Sequence, residues 1–428
     1  MGYQIKTFIA SDGERFSQLY DDAEAGFPAF YPTAFVCRSL RLKKGHATQK
    51  VYLEAIKRVY EWEAKNQLNL TARLQKKDFL RSHEIDDLAR HLQIARRSRS
   101  GDNISTGKGN TYLRYTAEYL RWLADEVITE ANAPNIRAAI DLQCKKLLDK
   151  VSGKVGSVSA RAQQTLKKHL SIEAREQLFE LWNSPLANLY RSSDKGARMR
   201  NVVMLRVLYE TGMRRGELLS LKLRHFLESG GGEGARLTIE RNHNDEYDNR
   251  VNQPVAKTRG RIVPITEDTE QQLMDYISIH RAEVPNVGFS DDDFIFVTHR
   301  AGRGQGKPLS ISTFDQVLQN LKQALPNLRT IHPHLLRHDW NYRFSKQADI
   351  KKLNPEQEKE IRSVLMGWSE NSKMALLYNQ RHTLERSLEF GRLVARNTDR
   401  TRVENEETQR KKHHQGAQSS ITIVKVVD

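Results

Sequence analysis

The chain has 428 residues, with 69 Lys and Arg against 53 Asp and Glu, a formal charge of +16 and a pI near 9.7. That length exceeds what one hydrophobic core normally serves and predicts two domains with appendages, and the basic excess predicts a polyanionic partner. The two cysteines, Cys37 and Cys144, lack CxxC or Cys/His zinc-finger spacing, and no run approaches the ~18 apolar residues of a membrane span. These features argue against a disulfide framework, a structural zinc site and a membrane protein. The opening MGYQIKTFIASDGERF has no long apolar stretch, so the expectation is an unsecreted protein of a reducing cytoplasm.

In chain order, residues 1–45 mix aromatics with turn residues and end in the basic run RLRLKK, which predicts an N-terminal arm. Residues 46–150 are helical in pattern. Val51, Ala55, Val59 and Trp62 recur at three and four in one stretch, and Tyr112, Tyr115, Tyr119, Leu120 and Leu123 do so in another. A further amphipathic stretch between them closes in Arg96, Arg97 and Arg99, giving a small helical bundle with a basic edge. The Gly/Ser-rich VSGKVGSVSARAQQ predicts an interdomain linker over 151–168.

A second domain is expected over 169–398, opening on a helix with Ser171 as its N-cap. It alternates long helices with short strand-like runs at 236–241, 261–265 and 293–297. The fold class is therefore mainly α with a small antiparallel β-sheet. The remaining tail, 399–428, is charged until the β-branched run ITIVKVVD, which is read either as a strand of this chain's own sheet or as one docking on another copy.

Four segments carry candidate chemistry. In VLYETGMRRGELLSLKL, Thr211-Gly212 ends one helix, and Arg214 and Glu217 then fall three apart on the next, so the carboxylate can orient the guanidinium. Lys257 precedes a Thr-Arg-Gly turn leading into a strand. In HPHLLRHDW, His334 and His338 have helical i, i+4 spacing, but Arg337 lies on nearly the same face and a guanidinium beside a dication is unfavourable. His334 with Arg337 reads instead as a donor pair for a phosphate, and no metal site is expected. Met366-Gly367 marks a tight turn followed by Trp368, with Tyr378 ten residues further on.

Together these segments, Arg in TGxRxxE, Lys before a turn, HxxR, a Gly-aromatic turn and then Tyr, resemble the tyrosine recombinase (phage integrase) family. The resemblance implies a helical core-binding domain followed by a recombinase-type α+β catalytic domain. It implies that Arg214 and Arg337 grip the scissile phosphate, that Tyr378 forms a 3′-phosphotyrosyl bond, that Lys257 is the general acid for the leaving 5′-oxygen, and that His334 assists proton transfer. Trp368 stands where most members have histidine and a minority has tryptophan, and its indole N–H still offers a donor. The gap to Tyr378 is about one residue longer than usual, and Asp339 stands where a small hydroxyl residue is usual; Tyr342 is the alternative nucleophile. No ATP, magnesium or other cofactor is implied, and no GxxxxGK[ST] loop is present.

The function so implied is site-specific recombination or integration of double-stranded DNA, with a dimer on one site, a homotetramer on paired sites, a Holliday-junction intermediate and accessory proteins as further partners. Arg96, Arg97 and Arg99 would add phosphate contacts, and the setting would be a cytoplasmic nucleoid. The alternatives are a DNA-binding regulator or accessory subunit without chemistry, and a topoisomerase-like relaxing enzyme.

Overall fold

The computed structural model describes residues 2–22, 26–95, 102–153, 163, 168–187, 194–369, 372–396 and 408–409. Nearly all of the charged tail, including ITIVKVVD, most of the expected linker, and Arg96, Arg97 and Arg99 lie outside the described residues. Among the described residues no helix is long and apolar enough to cross a membrane.

The N-terminal segment is more than an arm. Strands β1 (Tyr3–Ile9) and β2 (Arg15–Asp21) pair antiparallel, Tyr3 opposite Asp21 and Ile9 opposite Arg15. Alternation sends Arg15, Ser17 and Leu19 inward, which is why β2 packs on the following helices. A short helix α1 (Phe30–Phe35) leads to α2 (His46–Asn66), α3 (Leu70–Gln75), α4 (Ser82–Gln93), α5 (Thr106–Val127) and α6 (Pro134–Leu148).

The expected periodicity is what buries α2 and α5. Ala55, Val59 and Trp62 meet Tyr112, Tyr119, Leu120 and Leu123 in one hydrophobic cluster, each such aliphatic side chain contributing about 1.5–3 kcal/mol. Polar tips are satisfied inside it: the Trp62 indole N–H donates to Asp87 at 2.8 Å, and the Tyr60 and Tyr119 hydroxyls are 3.1 Å apart.

A second cluster runs from Leu170 to Leu336. Helix α7 (Ile172–Asn183) is capped by Ser171, whose hydroxyl accepts from the Ala174 N–H at 3.1 Å, as expected from sequence. The central helix α8 (Lys195–Thr211) is buried along much of its length and packs on α7 and on α12 (Pro333–Ile350). Between them come α9 (Arg215–Leu219), a three-stranded antiparallel sheet in the order β3 (Phe226–Leu227), β4 (Arg236–Ile239), β5 (Arg261–Pro264), then α10 (Glu267–Asp275) and α11 (Ile311–Ala324). Helices α13 (Pro355–Met366) and α14 (Met374–Arg396) follow.

Mainly α with small antiparallel sheets is thus the observed class, with one local difference. Residues 293–297 form no strand, only isolated bridges of Phe294 with Lys222 and of Val297 with Pro308. Phe294, Ile295, Phe296 and Val297 are all buried, so the run lacks a solvent face, and its backbone pairs with loops such as Leu221 and Leu309.

Candidate active site

The turn after α8 builds the first half of the site. Gly212 ends the helix in the left-handed region at φ 63°, and a Cβ there would stand 2.7 Å from Trp340, so glycine is required twice over. Chain reversal then puts Arg214 at the start of α9 with Glu217 three residues on, and Glu217 Oε2 accepts from the Arg214 backbone N–H at 2.9 Å. Glu217 Oε1 lies 3.3 Å from Arg214 Nη1, which holds the guanidinium as the spacing predicted.

Sequence reasoning missed the rest of that node. Arg261, at the start of β5, donates to Glu217 Oε2 at 2.7 Å and to the Leu365 carbonyl at 2.6 Å, while the Thr258 hydroxyl donates to Glu217 Oε1 at 2.8 Å. Burial by itself would raise the pKa of Glu217, which is fully buried. The hydrogen bond and charge of Arg261, the Arg214 N–H and Arg337 overcome it and hold the carboxyl at about 2. Glu217 is thus a fixed negative counter-charge between three arginines.

Helix α12 supplies the second half. His332 is its N-cap, Nδ1 accepting from the Leu335 N–H at 3.1 Å. Arg337, 0 % exposed, points Nη1 at the Gly212 carbonyl at 2.7 Å, so one guanidinium ties α12 to the turn that carries Arg214. Burial, then repulsion by Arg214, lowers its pKa to about 10, which leaves it charged at neutral pH. Its Nε has no hydrogen-bond partner among the described residues.

His334 is exposed on one side. Desolvation by neighbouring protein and then the charges of Arg214 and Arg337 lower its pKa, favouring a neutral imidazole. No group of three or more His, Cys, Asp or Glu able to hold a metal occurs among the described residues.

The Gly367 turn closes the site. Gly367 is left-handed at φ 67° and its carbonyl accepts from the Arg259 N–H at 3.0 Å, joining the end of α13 to the approach to β5. Trp368 follows, its ring stacked on Tyr378 with centroids 5.3 Å apart and planes at 18°. The Arg337 guanidinium lies 5.7 Å from the Trp368 ring and 5.5 Å from the Tyr378 ring. The Trp368 indole N–H is buried and, like Arg337 Nε, without a partner among the described residues. Tyr378, 6 % exposed, sits on the first turns of α14.

His338 packs its ring 4.7 Å from that of Tyr378, and burial lowers its pKa to about 4. Its helical spacing from His334 was visible in the sequence, but its meeting with Tyr378 depends on packing between α12 and α14.

Lys257 lies in the irregular connection between β4 and β5, exposed, with no ion pair among the described residues. Its chain neighbour Thr258 is bonded to Glu217, the carboxylate that also holds Arg214, while Lys257 itself lines a cleft with Arg15, His46 and Asp315. The two residues that sequence left open are also explained. Asp339, fully buried, accepts from the Leu170 N–H at 3.2 Å, Arg175 at 2.8 Å and Arg343 at 3.2 Å, a purely internal anchor. Tyr342 is engaged elsewhere, its hydroxyl donating to Glu385 at 2.7 Å and its ring covered by Arg381.

The buried Arg337 guanidinium and the Trp368 indole thus lie against the ring of a tyrosine carried on a separate helix, while Arg214 is bonded to Thr258, next in chain to the loop lysine. The phage integrase family model matches residues 183–380, the segment that holds Arg214, Lys257, His334, Arg337, Trp368 and Tyr378. It is 28% identical over 197 residues to the tyrosine recombinase XerD of Halalkalibacterium halodurans, covering 45% of this chain and 53% of that one. It is 27% identical over 182 residues to the tyrosine recombinase XerC of Roseiflexus castenholzii, covering 42% and 48%. The match therefore spans about half the length of these curated relatives. Among solved structures, the XerH site-specific recombinase in a post-cleavage complex with palindromic difH substrate aligns with a TM-score of 0.47 at 17% identity, covering 81% of this chain and 79% of that one.

Proposed function

We propose that the chain is a site-specific recombinase that cuts and rejoins double-stranded DNA through a covalent tyrosine intermediate. The observation that carries this reading is the pair of buried donors without partners among the described residues, Arg337 Nε and Trp368 Nε1, both on side chains that lie against the Tyr378 ring. Buried polar groups are nearly always satisfied, so unpaired donors at one place favour an external acceptor, and a phosphodiester supplies anionic oxygens.

The Tyr378 oxygen attacks phosphorus, forming a Tyr–O–P bond as the P–O5′ bond breaks. Arg214 and Arg337 offset the charge gathering on the non-bridging oxygens, and Trp368 adds a neutral donor. His334, neutral by its lowered pKa, takes the tyrosine proton, and Lys257 delivers a proton to the departing 5′-oxygen. The phosphotyrosyl bond conserves the energy of the broken one, so a 5′-hydroxyl can reverse the step and rejoin DNA without a cofactor.

Tyr342 is a poorer nucleophile in this reading. Burial, then its hydrogen bond to Glu385, raises its pKa. Assembly on paired sites draws support from α14, which leaves Leu376, Phe390 and Leu393 exposed at 73, 68 and 51 %. The net charge of +16 fits phosphate contacts and binding that weakens steeply with salt.

The test is capture of detergent-resistant protein–DNA adducts from cells expressing the chain or Tyr378→Phe, with sequencing of the attached DNA. Adducts confined to the wild type and focused on one short site are expected. Adducts that persist in Tyr378→Phe would name the wrong nucleophile, and none from either chain would favour a binding-only protein.

A further inference from the structure

We infer that Arg15, on the N-terminal hairpin, is a positioning residue for Lys257, acting through the long β4–β5 connection. This rests on the reading of Lys257 as the general acid.

That connection has little regular structure, and Lys257 itself is exposed and unpaired among the described residues, so its location is set by the backbone that carries it. Downstream the backbone is fixed by Thr258 on Glu217 and by the Arg259 N–H on Gly367. Upstream, the turn at 245–250 is fixed largely by guanidiniums.

Arg250 pairs with Asp248 at 2.8 and 2.7 Å and donates to the carbonyls of Leu219 at 3.0 Å and Leu309 at 2.7 Å. The other guanidinium comes from the far end of the chain. Arg15, 3 % exposed, donates to the carbonyls of Asp245 at 3.2 Å, of Arg250 at 3.3 Å, and of Asp248.

The hairpin turn is shaped for this approach. Gly13 has φ +80°, its carbonyl accepts from Arg15 at 2.5 Å, and a Cβ on it would meet the Asp245 and Glu246 backbone at 2.6 Å. Arg15 and Lys257 also line one cleft, together with His46, Asn252, Val255 and Asp315. No atom of Arg15 is placed to touch the reacting phosphate in this scheme. Its effect reaches the chemistry only through the loop.

A leaving-group substitution separates this from a general structural role. In a scissile linkage with sulfur in place of the 5′-bridging oxygen, the P–S bond breaks to release a thiolate that needs no proton, so loss of a general acid is masked. Full-length wild type, Arg15→Gln and Lys257→Ala are compared on the duplex recovered by adduct sequencing, in oxygen and sulfur forms.

Arg15→Gln is expected to slow cleavage of the oxygen form by about 10- to 100-fold and of the sulfur form by less than about 3-fold. Hydrogen exchange at the amides of Tyr247, Asp248 and Arg250 should accelerate in the same variant. Equal slowing of both forms, or unchanged exchange, would overturn the inference. If Lys257→Ala is not rescued by sulfur, the assignment of Lys257 falls instead, whatever Arg15 does. Should Arg15→Gln not fold, Gly13→Ala presses on the same backbone while keeping Arg15, and the same split is expected or the proposal is wrong.

Discussion

Glu217, Arg261 and Arg337 are 0, 8 and 0 % exposed, Arg261 bonded to Glu217 and Arg337 to the Gly212 carbonyl, whereas Lys257 and His334 stand at the surface. The buried half holds charge that never changes during the proposed reaction, so rigid burial costs it nothing in function and sharpens its field. The exposed half has to gain or lose a proton and meet a substrate, which fixed interior pairing would prevent. The contrast sorts the site into a permanent electrostatic frame and a set of proton carriers attached to its edge.

The comparison breaks first at the proposed nucleophile, which belongs to neither half. Tyr378→Phe keeps the ring stacked on Trp368 and removes only the oxygen, so covalent adduct should vanish while DNA binding, read by gel shift, stays within about 2-fold. Next in size is Glu217→Gln. Leaving Arg261 and Arg337 buried without their counter-charge should cost about 3–5 kcal/mol in urea unfolding of the full chain.

The same residue gives a pH signature. Its folded pKa of about 2 lies below the ordinary 4.5, so its ionisation favours folding. That contribution is complete above pH 4.5 and is lost as acid takes the pH down through 2. Glu217→Gln should flatten this part of the stability profile, and an unchanged profile would remove Glu217 from the frame.

A smaller effect sharpens the division. Trp368→Phe preserves an aromatic surface against Tyr378 but removes the unpaired donor, so cleavage should fall by about 100-fold with thermal stability unchanged or slightly raised. Smallest is Tyr342→Phe, which forfeits one hydrogen bond to Glu385, about 1 kcal/mol in unfolding, and should leave adduct formation untouched.

Helical periodicity made most of the first cluster legible, because Ala55, Val59, Trp62 and the Tyr112–Leu123 face each satisfy a local rule. The same holds for the Ser171 cap and for the Arg214–Glu217 pair, both of which are contacts within four residues. Long-range contacts were illegible. Arg261 meets Glu217 across 44 positions and Arg15 meets Asp248 across 233, and no periodicity encodes such pairs. Asp339 looked like a deviation in the HxxR segment because its partners, Leu170 and Arg175, lie 169 and 164 positions away in the chain. The hairpin at residues 3–21 was passed over because its strands alternate around mixed polar and aromatic residues, and Arg15 occupies an inward position that a hydrophobic pattern would give to an aliphatic side chain.

The Asp339 anchor has a mechanical meaning. Leu170 and Arg175 stand where the chain re-enters the second cluster, and their bonds end on the helix that carries Arg337, two residues away from it. The start of α7 is therefore tied directly to α12 through Asp339. In the proposed reaction, that link would let tension along the chain before α7 act on the arginine that holds the phosphate.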